Sequence, residues 1–129
     1  MPHVAKTGDI SVRVAVSFLP EQSAPALGRW FWSYHVRIEN DGRESVQLLE
    51  RSWRIIDGEG RLFEVRGEGV VGETPLIRPG ESFDYVSGCP LETSSGEMSG
   101  SYHLVSESGA VLEVEIPAFD LVGPGSATA

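Results

Sequence analysis

The feature that most constrains the fold is a repeated alternation of apolar and polar residues with a period of two. It is clearest in Trp30–Asn40, and it recurs in Ile10–Phe18 and in residues 111–116. Successive side chains of a strand point to opposite faces, so this pattern is typical of strands with one buried face. In the longest run the apolar face consists of Trp30, Trp32, Tyr34, Val36 and Ile38.

Seven or eight segments of this kind follow one another, separated by turns at regular spacing, and no segment shows the 3.6-residue period of a helix. The pattern predicts an all-β fold, an antiparallel two-sheet sandwich of the fibronectin type III or immunoglobulin kind. A closed barrel is the alternative. The phase of the alternation slips near Leu48 and Leu49, which predicts a bulge or a bend there. Pro20, Pro25 and Gly28 exclude a helix of any length in the first connection.

The length of 129 residues predicts one domain with a single core. We expect a loose arm at residues 1–9, a sandwich domain at 10–122 and a disordered tail at 123–129. The arm is polar and lacks the apolar segment of a signal peptide, and no run approaches the length of a membrane span. These observations predict a cytoplasmic protein without membrane insertion.

The charge balance excludes some classes of partner. Ten Lys and Arg residues stand against 19 Asp and Glu residues, which gives a formal net charge of −9. Nucleic acid and anionic membranes require a basic face, so we expect no nucleic-acid binding. A basic protein or divalent cations fit the sign better. Cys89 is the single cysteine, which excludes a disulfide framework and a thiolate metal cluster and fits a reducing compartment.

A glycine-rich stretch carries the G-x-G-x-x-G spacing of a dinucleotide-binding turn. That chemistry requires a helix after the last glycine, because the pyrophosphate lies at the helix N-terminus. Here Pro75 and Pro79 follow closely and would stop a helix, and two carboxylates within the loop would repel a diphosphate. We therefore expect backbone freedom for a crossing loop or bulge, and a looser anion contact through backbone N–H groups stays open. The candidate ligand-binding residues are Arg66, Gly67, Gly69, Gly72 and Glu73.

The sequence shows no arrangement typical of an active site. His3, His35 and His103 lie far apart and lack metal-ligand spacing, so we predict no metal site built on histidine. Carboxylates of the central stretch could hold a hard cation, although solvated loop charges are the simpler interpretation. Cys89 precedes a proline with no histidine near it in sequence, and we expect a small buried thiol. No enzyme activity and no cofactor are predicted.

A possible interaction surface lies at the start of the strongest strand. Phe31 falls on the polar face of that strand, and Trp30 stands at its entrance beside Arg29. An exposed aromatic pair next to an arginine suits a protein interface. The alternative is that loops cover both rings.

Several blocks of the chain, taken together, resemble the ApaG family, over about residues 10–121. The blocks are LPEQS at 19–23, VQLLERSW at 46–53, EVRGEGVVGE at 64–73, PGESF at 79–83, YVSGCPLET at 85–93, GSY at 100–102 and IPAF at 116–119. The resemblance implies a fibronectin type III-like sandwich and no established catalytic residues. It also implies a stand-alone bacterial protein linked to cobalt and magnesium resistance and efflux. In eukaryotes the domain is appended to an F-box protein and a polymerase-delta-interacting protein, where it looks like an interaction module. Ser52 stands where the family often has histidine, which weakens any scheme that needs an imidazole there.

From these observations we expect a non-catalytic binding module with an unidentified protein partner, and sandwich edge strands could also pair into a homodimer. The alternative is a small-ligand binder, for phosphate, a nucleotide or a divalent cation, at the loop from Gly67 to Gly72. An enzyme acting on dinucleoside polyphosphates is a third hypothesis, supported by the glycine spacing and by the naming of the family.

Overall fold

Residues 2–124 are described by a computed structural model, so residues 125–129 of the predicted tail lie outside the described part. The strands in chain order are β1 His3–Thr7, β2 Ile10–Phe18, β3 Trp30–Asn40, β4 Val46–Asp57, β5 Leu62–Glu68, β6 Leu76–Ile77, β7 Ser82–Leu91, β8 Ser95–Ser106 and β9 Val111–Val122.

The strands form two antiparallel sheets packed face to face. The first sheet has the order β1-β2-β3-β7, and the second has the order β5-β4-β8-β9, with β6 paired to β4. The predicted all-β sandwich is therefore confirmed. Strands β1 and β2 pack against β9, which closes one side of the sandwich.

The core forms from the apolar faces that the alternation predicts. Trp32, Val36 and Ile38 of β3 are buried, whereas His35 and Arg37 on the opposite face are exposed. Aromatic rings fill the centre of the sandwich. The ring of Trp53 lies 5.3 Å from Tyr34, 6.5 Å from Tyr102 and 6.1 Å from Phe119, within the range of favourable aromatic pairs.

The predicted loose arm is wrong for most of its length. Residues His3–Thr7 pair with β2 from His3 opposite Val14 to Thr7 opposite Ile10, through a turn in which Gly8 has a φ of 58°. The arm is polar because β1 is an edge strand with much of its surface in solvent, and edge strands carry little apolar patterning.

Other boundaries also differ from the sequence-based expectation. Strand β7 continues through Pro90 to Leu91, because an edge strand tolerates a proline at this position. The first connection contains two single-turn 3₁₀ helices, Pro20–Gln22 and Pro25–Leu27, although we expected none. Each begins at a proline, whose missing N–H is unpaired in a first helical turn anyway.

The predicted bulge is confirmed. The pairing of β4 with β8 shifts register between Leu48 and Glu50, which lets Leu48 stay buried while Leu49 turns to solvent. A second shift, between Met98 and Gly100 in the pairing of β8 with β9, has no counterpart in the sequence-based prediction.

Candidate functional site

The sandwich is open along the side formed by β5 and β7. These two strands are the edges of the two sheets, and β5 packs mainly against its neighbour β4. Nearly every residue of β5 is exposed on both faces, including Phe63 at 47% and Val65 at 41%. Both side chains lie on the face of β5 that belongs to the interior, because they pair with Ile55 and Trp53 of β4. We call the space between β5 and β7 the mouth of the sandwich.

One end of the mouth is an apolar cleft of about 430 Å³. It is formed where β3 and β5 begin and where β4 and β7 end. Six of its lining residues are apolar, namely Trp30, Phe31, Ile55, Phe63, Pro90 and Leu91. Concave apolar surfaces with a few polar groups at their rim are typical binding sites.

The rim of the apolar cleft is charged and held in place. Asp57 accepts hydrogen bonds from the N–H groups of Glu59 and Arg61, each at 2.9 Å, and from the Arg61 Nε at 2.7 Å. Burial raises the pKa of the Asp57 carboxyl, but these hydrogen bonds outweigh burial and lower the pKa below its usual value. Arg61 also contacts Glu59 at 3.0 Å, so its guanidinium lies between two carboxylates.

The residues predicted as an interface, Arg29, Trp30 and Phe31, all line the apolar cleft. The side chains of Trp30 and Phe31 are both half-buried. This lies between the two alternatives from the sequence, an exposed aromatic pair and a pair covered by loops. The ring of Phe31 lies over Gly88 so closely that a Cβ at that position would collide with it. The indole Nε1 of Trp30 is enclosed and has no hydrogen-bond partner among residues 2–124.

The other end of the mouth is a polar pocket of about 310 Å³, next to the glycine stretch. Its polar lining residues are Tyr34, Arg51, Glu68, Tyr85 and Ser87. Burial raises the pKa of Tyr34 and of Tyr85 above the ordinary value of a phenol, so both hydroxyls stay neutral. The hydroxyl of Tyr85 bonds the buried hydroxyl of Tyr102.

Arg51 fastens the glycine stretch to the edge of the second sheet. Its Nη1 donates to the carbonyl oxygens of Glu68 and Gly69, both at 3.0 Å. The guanidinium lies over Gly67, where a Cβ would come within 2.8 Å of it. A side chain at position 67 would therefore displace the Arg51 guanidinium from the carbonyl oxygens that it binds.

The other two glycines shape a tight hairpin. Val70 and Glu73 exchange both backbone hydrogen bonds, at 2.8 and 2.9 Å, around Val71 and Gly72. The φ angles of Val71 and Gly72 are 43° and 82°, as in a type I′ turn. Gly69 has a φ of 63°, and a Cβ there would collide with the carbonyl oxygen of Glu73. Gly69 and Gly72 thus provide the backbone freedom that we expected for a crossing loop. The segment after this hairpin is the short strand β6 and not a helix.

The predicted ligand-binding residues do not converge on one point. The Arg66 side chain extends over the outer face of the second sheet, with Nε 3.5 Å from the Ser52 hydroxyl. Gly72 lines the polar pocket on the interior side. The N–H groups of Gly69 and Glu73 donate to backbone carbonyls, which leaves those of Val71 and Gly72 as the donors nearest the pocket. The role of this loop as a ligand site stays a prediction.

Several expected features can be placed. Cys89 is buried, and burial raises the pKa of its thiol to about 11. His35 is exposed and contacts Asp84 at 2.9 Å, whereas the ring of His3 lies 5.9 Å from that of Phe119. Within residues 2–124 no three His, Cys, Asp or Glu side chains are grouped so as to hold a metal ion. In the same part of the chain, no helix is long and apolar enough to cross a membrane.

Sequence reasoning missed Phe63, Ile55 and Arg51 as parts of the site. In the sequence, Phe63 and Ile55 resemble ordinary core residues of strands. Phe63 is exposed because none of the described strands lies opposite β5, and this follows from the order of strands in the two sheets. Arg51 lies beside Ser52 on β4, and its direction depends on the bulge at Leu48.

The two sheets and their connections define a fibronectin type III-like sandwich domain with one open side. A model of the ApaG domain matches residues 20–106. Protein ApaG of Bradyrhizobium sp. (strain ORS 278) is 58% identical over 120 residues, which cover 93% of this chain and 92% of that relative. Protein ApaG of Rhodospirillum centenum is 55% identical over 118 residues, which cover 92% and 91%. The chain belongs to the ApaG family.

Solved structures agree with this assignment. A crystal structure described as that of an ApaA protein from Bordetella pertussis has a TM-score of 0.87 and 48% identity, and the match covers 92% of this chain and 96% of that one. The C-terminal domain of wzt matches with a TM-score of 0.58 at 10% identity, which shows likeness of fold alone.

Proposed function

We propose that this chain is a non-catalytic binding module that holds a protein partner at the apolar cleft. The observation that carries the proposal is the position of Trp30, Phe31 and Phe63 in one concave surface at the open side of the sandwich. Aromatic residues in a partly enclosed pocket are typical of the residues that dominate binding energy at protein interfaces. A rigid sandwich that presents such a surface at its strand ends is a common arrangement for binding.

A protein partner fits this surface better than a small molecule alone. Beyond Phe63, the exposed Val65 lies on the same interior face of β5, so the apolar area extends beyond the concave part. Arg29 lies at the rim and makes no ion pair with any residue that the structure describes, which leaves its guanidinium available to a partner. A surface of this shape suits a segment of chain that enters the cleft with one bulky side chain.

The cellular role that we propose is in the handling of divalent cations in the cytoplasm. Membership of the ApaG family supports this role, because the family is linked to cobalt and magnesium resistance and efflux. In this proposal the protein acts on cation handling through its partner.

The test is site-specific photo-crosslinking in cells. A photoreactive residue is introduced at Gln22, an exposed residue that lines the apolar cleft, and at Val111, which is 77% exposed and distant from it, as the control. We expect a discrete crosslinked protein from position 22 that disappears when Phe63→Asp is added. The same Phe63→Asp variant should reproduce the cobalt and magnesium sensitivity of cells that lack the protein. Identical crosslinking patterns from the two positions would refute the proposal.

The polar pocket supports a second candidate function, the binding of a small anion or a cation–anion complex. Its lining includes Arg51 and Glu68, the hydroxyls of Tyr34 and Ser87, and the N–H groups of Val71 and Gly72, which bond no other residue within 2–124. Amide spectra of ¹⁵N-labelled protein, titrated separately with magnesium, cobalt, pyrophosphate and ATP, test this function. Saturable shifts confined to residues around the pocket would support it, and spectra unchanged at millimolar ligand would exclude it.

A further inference from the structure

The first sheet is one strand short of the second at the mouth of the sandwich. Within residues 2–124, β3 is followed in the first sheet by β7 alone, whereas β5 extends the second sheet beyond β4 with no described strand over its interior face. We propose that a basic, extended segment of the partner protein adds to β7 as a fifth strand of the first sheet and covers β5. This inference rests on the proposed function and names the binding mode and the chemistry of the partner.

The backbone of β7 has open hydrogen-bonding groups on its outer edge. The N–H of Asn40 donates to the carbonyl of Glu81 at 3.0 Å, and the carbonyl of Asn40 accepts from Gly80 at 2.7 Å, so the peptide groups of Asn40 face β7. The carbonyl of Phe31, at the opposite parity of β3, instead accepts from Leu19 on the β2 side. Antiparallel strands alternate in this way along their length.

The register transfers this alternation to β7. Val36 and Tyr34 lie an even number of residues from Asn40, so their peptide groups also face β7. They pair with Tyr85 and Ser87, whose N–H and C=O groups therefore bond to β3. The residues between and beside them have the opposite parity and point their backbone groups outward. These residues are Ser82, Asp84, Val86 and Gly88.

Pro90 follows in the same outward series, at the place where a missing N–H removes no bond to β3. Proline at such a position is confined to edge strands and ends the surface available for pairing. The free edge of β7 thus extends from Ser82 to Gly88, long enough for three or four residues of an added strand to exchange hydrogen bonds. Val86, at its centre, is 61% exposed and uncharged.

The edge of β5 is a poorer template. Asp57 and Arg61 form the hydrogen-bonded pair at the start of this hairpin, since the N–H of Asp57 donates to the carbonyl of Arg61 at 3.0 Å. By the same alternation, the outward positions of β5 include Glu64, Arg66 and Glu68. Charged side chains along an edge discourage pairing. An added strand therefore extends β7, and its interior side chains lie over β5.

The apolar surface that an added strand would cover is already in place. Phe63 and Val65 face the mouth from β5 and are 47% and 41% exposed. An added strand that alternates apolar and polar residues would bury both, and its last apolar side chain would reach the apolar cleft. Strand addition of this kind takes its affinity from main-chain hydrogen bonds and its specificity from pockets for alternate side chains.

Charge identifies the partner segment as basic. From Glu59 to Glu92, the part of the chain that forms both edges, seven carboxylates stand against three guanidiniums; with Arg29, Arg51 and Asp57, which also line the mouth, the formal charge is 5 − 8 = −3. A basic strand would meet a field of opposite sign, which raises the association rate and favours this class of partner. A second copy of this chain would bring two such acidic regions together and is disfavoured for the same reason.

The probe is a displayed library of short random peptides, selected on the immobilised full chain at moderate salt. We expect the recovered peptides to be basic, to alternate apolar and polar residues, and to lose affinity as salt is raised. In ¹⁵N spectra, a synthetic copy of a recovered peptide should slow hydrogen exchange of the Asp84, Val86 and Gly88 amides. The Tyr85 and Ser87 amides, already bonded to β3, should be slow with or without peptide.

Two variants separate strand addition from other modes of binding. Val86→Pro removes one outward N–H and leaves every bond to β3 intact, and it should weaken the peptide by about tenfold or more. Val65→Lys places a like charge in the mouth and should weaken it as well. Val111→Lys is the matched control and should bind as wild type. The thermal transition of each variant shows whether it is folded.

The outcomes distinguish the inference from the proposed function. Peptides that bind Val86→Pro as well as wild type but are lost in Phe63→Asp would leave a binding module and overturn strand addition. Recovered peptides that are acidic, or no recovered peptide at all, would also overturn it. Sedimentation that shows a dimer of the wild type, dissociated by Val86→Pro, would assign the edge to a second copy and overturn the basic partner.

Discussion

Val71 should be the residue whose replacement most easily stabilises this protein. Among residues 2–124 it is the single non-glycine residue with a positive φ, at 43°, and it occupies the first central position of the turn between Val70 and Glu73. A β-branched residue is strained there, whereas asparagine and glycine adopt this conformation readily. We predict that Val71→Asn increases the free energy of unfolding.

The magnitude follows from two opposing terms. The left-handed conformation costs an ordinary L-residue about 1–2 kcal/mol, which asparagine largely avoids. Val71 is 53% exposed, so replacing it loses about half of the ~1.5 kcal/mol that full burial of valine contributes, or about 0.7 kcal/mol. The net gain is about 0.5–1 kcal/mol. With an unfolding entropy of about 2.1 cal/mol/K per residue over 129 residues, this raises Tm by about 2–4 °C.

Differential scanning calorimetry and urea unfolding of wild type and Val71→Asn measure the change. Val71→Gly should gain less, because glycine adds about 0.4–1 kcal/mol of entropy to the unfolded chain. Val111→Asn is the control, an exposed valine with an ordinary φ, and it should not stabilise the protein. If Val71→Asn were no more stable than wild type, or if Val111→Asn gained as much, the strain argument would be refuted.

Three further predictions concern the interior and the apolar cleft. Tyr85→Phe should lower the free energy of unfolding by about 1–3 kcal/mol, because it leaves the fully buried Tyr102 hydroxyl without its partner. The double variant with Tyr102→Phe should recover most of that loss, as measured by urea unfolding. Burial raises the pKa of the Cys89 thiol to about 11, so iodoacetamide at pH 8 should label it only as fast as the protein opens, and immediate stoichiometric labelling would contradict this. The hydrogen bonds to Asp57 lower its pKa, so its contribution to stability should be complete above the unfolded pKa of about 3.9 and be lost as pH falls through the lower folded pKa. Asp57→Asn should therefore lose less stability than wild type over that acidic range, as followed by thermal unfolding at several pH values.

Much of the fold was predictable from the sequence, because the relevant signals are local. The alternation in β2, β3 and the first half of β9 reports directly which side of each strand is buried. The phase slip at Leu48 marked the bulge, since a single extra residue inverts the faces beyond it. The prolines after Gly72 excluded a helix, and the backbone there indeed continues as a hairpin and a short strand.

Other boundaries depended on partners distant in sequence. Residues 3–7 have little apolar pattern, and they form β1 because the edge of β2 offers them hydrogen bonds. Strand β7 extends through Pro90 because its outer edge has no neighbour that would require the missing N–H. Local propensity is a weak predictor of β1 and of the end of β7, because both depend on pairing with a neighbouring strand.

For the candidate site too, some features follow from the sequence and others only from the tertiary structure. By itself, the sequence determined which residues are aromatic, acidic or glycine, and it placed Arg29, Trp30 and Phe31 together at the start of a strand. Only the tertiary structure decided that these residues share a cleft with Phe63, that Arg66 lies on the opposite face from the polar pocket, and that β7 ends the first sheet one strand before β5 ends the second. The physical reason is that alternation specifies which face of a strand is buried but not which strand lies opposite it. The mouth of the sandwich exists because no other strand of residues 2–124 lies opposite β5.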